Sequence, residues 1–336
     1  MDTVAGVTEP FPAAQANGQG AGPAAAPNAR ADASDGPAAA SDSTGATRKA
    51  PVAFSAQHPA AAGPGPAARP VLHSVGVALT LLGVFILGFL AYLYGFSGIG
   101  EARAQTTLYP TLRIELGNQV APLGATTPGA PVAILNIPSI GIADMIVVEG
   151  TSPENLALGP GHLRNTPMPG QAGVAEIFGR RATFGAPFSR LLQLRSGDKI
   201  TLTTGQGHAS YTVVARGDST HLVEDPAPNR LLLVTACSAY TPTSYCYLDA
   251  DLTSAAQQNP GGLPLITQAE TPLSGDSGAL VLTLIWAMAL LAVSAAGTIA
   301  AARWSPRLAY LAAMPLALAV LWNLYQSLAA LLPNVY

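Results

Sequence analysis

Cys237 is the residue of this 336-residue chain best placed for covalent chemistry. It closes the apolar run Leu231-Leu232-Leu233-Val234-Thr235-Ala236, which reads as a strand with a thiol at its end. A thiolate there is a nucleophile toward a carbonyl; the plain alternative is a small buried hydrophobe. The only other cysteine is Cys246. Two further charged features lie near a second strand-like run, Val174 to Phe178. Arg180 and Arg181 follow it: arginine is permanently protonated, so it favours a nearby thiolate by charge but cannot shuttle a proton. Glu176 sits inside it, and on an alternating strand it faces solvent or pairs with Arg181. His162 reads as structural or surface, while His208 and His221 read as exposed loop residues, each with a substitute acid–base role as the alternative.

These groups need a scaffold, and the composition divides the chain sharply. Residues 1–70 are dominated by Ala, Gly, Pro, Ser and Asp with almost no apolar anchors, which predicts a disordered tail. A formal net charge of −3 leaves no basic field, so nucleic acid is excluded as a partner class.

Val71 to Gly100, Gly278 to Ala302 and Leu308 to Tyr336 contain no Asp, Glu, Lys or Arg. Each exceeds the roughly 20 helical residues that cross a hydrocarbon core. The expected spans are 71–100, 278–302 and 308–332. Ala102-Arg103-Ala104 resembles a signal-peptidase site, but the long apolar run and the long preceding segment favour an uncleaved anchor. Arg48, Lys49 and Arg69 precede the first span, and Arg303 and Arg307 occupy the turn between the last two. The positive-inside rule puts those ends in the cytoplasm and the intervening domain outside. Pro315 is expected to kink the last span, and Asn323 and Gln326 share a face that packs on a neighbouring helix.

Between the spans, short strands are predicted at Ala133 to Ile137, Met145 to Val148, Val174 to Phe178, Lys199 to Thr204, His208 to Arg216 and Arg230 to Ala236. Pro138, Gly141, Gly197-Asp198, Gly205-Gln206-Gly207 and Asp225-Pro226-Ala227-Pro228-Asn229 supply turns. Brief helical turns are expected at Pro153 to Leu158 and Pro187 to Leu194. Such texture predicts a β-barrel or sandwich over 131–256, with linkers at 101–130 and 257–277.

Six motifs in register now carry a resemblance. They are Ile137-Pro138-Ser139-Ile140-Gly141, Val148-Glu149-Gly150-Thr151, Gly159-Pro160-Gly161-His162, Pro169-Gly170-Gln171-Ala172-Gly173, Gly179-Arg180-Arg181-Ala182-Thr183-Phe184-Gly185-Ala186-Pro187-Phe188 and Leu194-Arg195-Ser196-Gly197-Asp198. Together they resemble the sortases, cysteine transpeptidases of the cell surface, and class E in particular. The resemblance implies a mainly β fold: an eight-stranded barrel, here with one N-terminal and two C-terminal transmembrane helices. It implies no cofactor and no metal. It implies a site of cysteine, histidine and arginine, in which a thioacyl enzyme forms on a sorting peptide and is released by an amine or water.

Carried over residue by residue, Cys237 matches the nucleophile, with Ala236 where the family usually has Thr. Arg180 stands at the histidine position and Cys246 at the arginine position. In the family fold those two strands are neighbours, so a Cys237–Cys246 disulfide is expected to be possible in an oxidising compartment. Losing a positioned acid–base group costs about 10²–10⁴ in rate, and the missing arginine removes oxyanion stabilisation. The resulting expectation is a multi-pass membrane protein whose extracytoplasmic module is catalytically degenerate and binds or organises exported cell-envelope proteins. An active sortase working through a Cys237 thioacyl intermediate is the alternative. Exported or surface peptides and membrane lipid are the expected partners; oligomeric state is left open.

Overall fold

The computed structural model describes residues 68–220, 227–240, 243–262 and 264–336, with side chains from residue 73 onward. Residues 1–67 of the expected disordered tail, His221 and part of the Asp225–Asn229 turn lie outside the described residues, while residues 68–70, expected as the end of that tail, open a helix.

Eight strands close into a barrel: β1 (Pro131–Ile137), β2 (Ile142–Glu149), β3 (Gly161–His162), β4 (Val174–Phe178), β5 (Lys199–Thr204), β6 (Gly207–Asp218), β7 (Arg230–Ala236) and β8 (Tyr245–Leu252), in the order β1-β2-β3-β4-β7-β8-β6-β5. Closure removes the unpaired edges that would otherwise template aggregation. Alternate residues fill the interior, among them Leu135, Ile177, Ile200, Leu202, Leu231, Leu233 and Leu248. Between β1 and β2 the chain reverses through Pro138–Ile140 and Gly141, whose φ of 78° suits glycine.

The strand directions decide where a site can form. β4 runs parallel to β7, with Phe178 beside Val234, whereas β8 runs antiparallel to β7, with Cys246 beside Thr235. The exits of β4 and β7 and the entry of β8 therefore meet at one end of the barrel.

Two strands escape the pattern of the sequence. β3 has only two residues. β8 carries Asp249, fully buried although it lies on the face opposite the interior residues Leu248 and Ala250. Arg230 of β7 satisfies it with a 2.7 Å ion pair. The expected helical turns shrink to single 3₁₀ turns, Asn155–Ala157 and Leu191–Gln193.

Outside the barrel, α1 (Ala68–Ala91) passes through a π-helical turn at Tyr92–Phe96 into α2 (Ser97–Gly117). The linker expected at 101–130 is thus helical as far as Gly117. Docking onto the barrel holds it: Leu112 is buried with Ile134, Ile146 and Val148. Gln105 also accepts from the Ile146 N–H at 2.8 Å and donates to the Leu158 carbonyl at 2.9 Å. α3 (Ala279–Arg303) and α4 (Pro306–Ala330) form a hairpin, with Pro306 starting the second helix. The three helical segments His73–Gly117, Ala279–Arg303 and Pro306–Ala330 are long and apolar enough to cross a membrane.

α4 packs on α1 through Tyr325, whose ring lies 5.2 Å from that of Phe85 and 5.5 Å from that of Phe89. Asn323 donates back to the Ala319 carbonyl of its own helix at 2.8 Å instead of bridging to a neighbour. The connector expected at 257–277 is tied down as well. Thr151 donates to the Glu270 carbonyl at 2.6 Å, and Asn334 donates to the Thr271 carbonyl at 2.8 Å.

Candidate active site

At the shared strand end, Cys237 and Cys246 are joined by a disulfide, with a Cα separation of 4.9 Å. The β7–β8 register requires this closeness: Thr235 pairs with Cys246, and the Cys237 N–H donates to the Ser244 carbonyl at 3.1 Å. Both cysteines are half-buried, so the bond borders solvent.

The neighbouring wall is the loop after β4. Gly179 bonds to β7 through its N–H to the Val234 carbonyl (2.9 Å) and accepts from the Thr235 hydroxyl (2.9 Å). A Cβ on Gly179 would sit 2.2 Å from the Phe188 ring, so the residue must be glycine for that ring to close the barrel end.

The two arginines that follow turn in different directions. Arg180 is fully buried, and its bonds go to groups other than the sulfurs. It donates to the Pro153 carbonyl at 3.1 Å, touches Thr183 at 3.5 Å and lies over the Phe184 ring at 4.4 Å. Burial drags its guanidinium down to about 10, partly opposed by Tyr92, which leaves it charged at neutral pH. Arg181 is the one that reaches β7, donating to the Ala236 carbonyl at 3.0 Å beside Cys237. The structure therefore brings Cys237 and Cys246 together and turns Arg180 elsewhere. Residue order alone could not distinguish the two guanidinium groups, and sequence reasoning missed Arg181 as the cation bonded to the residue before Cys237.

Other titratable candidates are accounted for. His162 is buried, its Nδ1 3.0 Å from the Glu149 carboxylate and its Nε2 2.9 Å from the Pro167 carbonyl, which fits a structural role. His208 is exposed on the β5–β6 hairpin, bonded to Thr203 at 2.9 Å. Glu176 makes no ion pair with Arg181 among the described residues. Burial pushes its carboxyl up, partly opposed by the nearby His162.

A third wall comes from the segment after α4. The N–H of Arg181 donates to the Val335 carbonyl at 3.2 Å, and the Thr183 hydroxyl donates to the Tyr336 carbonyl at 2.9 Å. Val335 is buried among Phe178, Val234 and Ala236, and the Tyr336 hydroxyl bonds to that of Tyr94.

A closed eight-stranded barrel with a thiol pair where β7 leaves and β8 enters defines a class of cysteine-bearing barrel domain. Residues 135–248 match the sortase domain model, and over that segment the chain belongs to the sortase family. It is 29% identical over 117 residues to Sortase D of Bacillus subtilis (strain 168), covering 34% of this chain. It spans 57% of the length of that curated relative. Among solved structures it is similar to sortase E from Streptomyces avermitilis: 34% identity, 38% of this chain, 91% of that chain and TM-score 0.33. It is also similar to the Sortase D5 transpeptidase of Clostridium perfringens: 19% identity, 45% of this chain, 99% of that chain and TM-score 0.39.

Proposed function

We propose that this chain is a membrane-anchored sortase-family module that has lost ordinary transpeptidation and binds or organises exported cell-envelope proteins. The observation that carries this reading is the Cys237–Cys246 disulfide. A sulfur held in that bond is not a thiolate, and thioacyl formation needs the thiolate. Two further features support it. Arg180, at the position of the family histidine, points to Pro153, and a guanidinium could not exchange protons even if it faced the sulfur. Cys246 stands where the family arginine would supply an oxyanion donor, and a sulfur offers none of comparable strength.

In this reading the N-terminus and the α3–α4 turn are cytoplasmic and the barrel is extracytoplasmic. Arg303 and Arg307 flank that turn, as the positive-inside rule requires, and an oxidising exterior suits the disulfide. The module divides into a barrel over 131–256 and three spans, and its partners are exported peptides or proteins.

Arg181 favours a second reading. Its bond to the carbonyl before Cys237 fixes a positive charge on the residue preceding that thiol, which would promote a thiolate once the disulfide is reduced. The chain would then be an active sortase under reductive control.

One experiment separates the two. The full chain, purified oxidised and reduced, is offered sorting-type peptides with an amine acceptor, with Cys237→Ala as control. The binding module predicts peptide capture without turnover in either state. Turnover that appears on reduction and vanishes in Cys237→Ala establishes the second reading instead.

A further inference from the structure

Arg180 is a buried cation with no counter-ion among the described residues. Its side chain is 1% exposed, and among the described residues no carboxylate lies within ion-pair distance of it. One guanidinium nitrogen donates to a neutral carbonyl, another makes a long 3.5 Å contact with a hydroxyl, and Nε is buried with no acceptor. The Phe184 ring at 4.4 Å offsets part of the charge, but a desolvated cation with an unpaired Nε–H is destabilising unless something else completes it.

The guanidinium borders a cavity of about 400 Å³. α3 contributes Trp286 to its wall, α4 contributes Asn323 and Gln326, and Glu154 and Asp276 line the rim. The cavity lies at the start of α3 and the end of α4, where the candidate spans meet the barrel. In a bilayer this is the headgroup level, where indole rings concentrate.

We infer that this cavity binds a phosphodiester carrying a neighbouring primary ammonium, the headgroup chemistry of an aminophospholipid. Arginine is the side chain best matched to phosphate oxygens, and the free Nε–H supplies an unused donor. Asn323 and Gln326 add polar amides on the same wall, Asn323 with one N–H already given to the Ala319 carbonyl and Gln326 bonded to Tyr92. Glu154 and Asp276 would repel a purely anionic headgroup but attract the ammonium of a zwitterion. The volume lies within the range of small-molecule sites, about 300–1,000 Å³. The inference rests on the membrane-anchored part of the proposed function and is independent of whether Cys237 ever catalyses.

The test uses the full chain. Carbonate extraction of membranes first asks whether it is integral; release as a soluble protein overturns the anchoring itself. Delipidated protein in mild detergent is then titrated with phosphatidylethanolamine, phosphatidylglycerol and soluble glycerophosphoethanolamine, and bound copies are counted by native mass spectrometry. One phosphatidylethanolamine is expected to be retained about tenfold more tightly than phosphatidylglycerol, with a similar loss in Arg180→Gln, as for a charged hydrogen bond. Glu154→Gln with Asp276→Asn should narrow the preference, and this pair carries the test should Arg180→Gln fail to fold. Equal retention of the two lipids by the wild type, or an unchanged preference in the carboxamide pair, overturns the site. So does full retention of phosphatidylethanolamine by a folded Arg180→Gln. Displacement of the lipid by an equimolar amount of the soluble ester overturns the membrane as the source.

Discussion

Arg181 donates a 3.0 Å hydrogen bond to the carbonyl oxygen of Ala236, joining the loop after β4 to the residue that precedes Cys237. Because its N–H also donates to the Val335 carbonyl, one residue holds together the barrel end, the thiol strand and the segment after α4. Once the disulfide is reduced, that guanidinium is a fixed charge bonded to the residue before the Cys237 thiol. Arg181→Met should slow alkylation of the reduced protein by iodoacetamide at neutral pH. The expected factor is about threefold, the scale of one partly exposed charge interaction. Peptide mapping by mass spectrometry locates the alkylated cysteine.

The disulfide closes a short loop, its cysteines 9 residues apart. Loop-closure entropy for such a link amounts to about 2–3 kcal/mol. Cys246→Ser, with Cys237 kept as a free thiol, should lower the unfolding temperature of the full chain accordingly. Scanning calorimetry in detergent, repeated on the wild type with and without reductant, checks this: reductant should move the wild type and leave the variant still.

Asp249 is fully buried and held by Arg230 at 2.7 Å across the β7–β8 pair. Removing one partner of a buried pair leaves an uncompensated charge, which costs about 3–5 kcal/mol; Arg230 is partly exposed, so the lower end applies. Arg230→Met should therefore destabilise β7 and β8 first, and amide hydrogen exchange should report it as faster exchange in those two strands. Asp249→Asn, which removes the buried charge itself, should be milder.

Gly179 has no room for a methyl group because the Phe188 ring lies where it would go. Gly179→Ala should cost about 1–3 kcal/mol by overpacking. Adding Phe188→Leu should recover part of the loss. Melting temperatures of the two single variants and the double variant measure the coupling.

Glu176 supplies a pH dependence. Burial raises its carboxyl above the ordinary 4.5, so the folded state holds the proton more tightly than the unfolded state. The slope of stability with pH follows protons bound unfolded minus folded, and is therefore negative in that window. The contribution is full below the unfolded value and is lost as pH rises through the folded one. Glu176→Gln should flatten this fall, so that the variant gains on the wild type with rising pH. Melting temperatures measured across the acid range, for both proteins, give the difference directly.

How much of this was legible in the sequence depends on what holds each element. β4, β5 and β7 were readable because Ile177, Ile200, Leu202, Leu231 and Leu233 are buried by alternation on regular strands. β8 was not, although Leu248, Ala250 and Leu252 alternate with Asp249 and Asp251, because the ion pair that lets Asp249 be buried comes from another strand. α2 reads as linker in the sequence because it carries charges and Pro110; barrel contacts through Leu112 and Gln105 hold it as a helix. The cysteine pair was legible as a possibility, since the chain has only two and the family fold makes their strands adjacent. Which arginine bonds to the residue before Cys237 was not. Arg180 and Arg181 differ by one step along an irregular loop, and Pro153 and Ala236, their acceptors, come from distant parts of the chain.

Val335 shares one apolar cluster with Phe178, Val234 and Ala236, and thereby sets the limit of any soluble version of this protein. Cutting the chain after residue 256 would keep every strand yet strip the lid from the barrel end that carries the disulfide. Such a fragment would uncover Phe178, Val234 and Ala236 where the intact chain has backbone and a buried valine, and amide exchange at that barrel end should be faster than in the full chain. The smallest piece that folds as nature has it is therefore larger than residues 135–248, and the helical segments on either side of the barrel are part of its foundations.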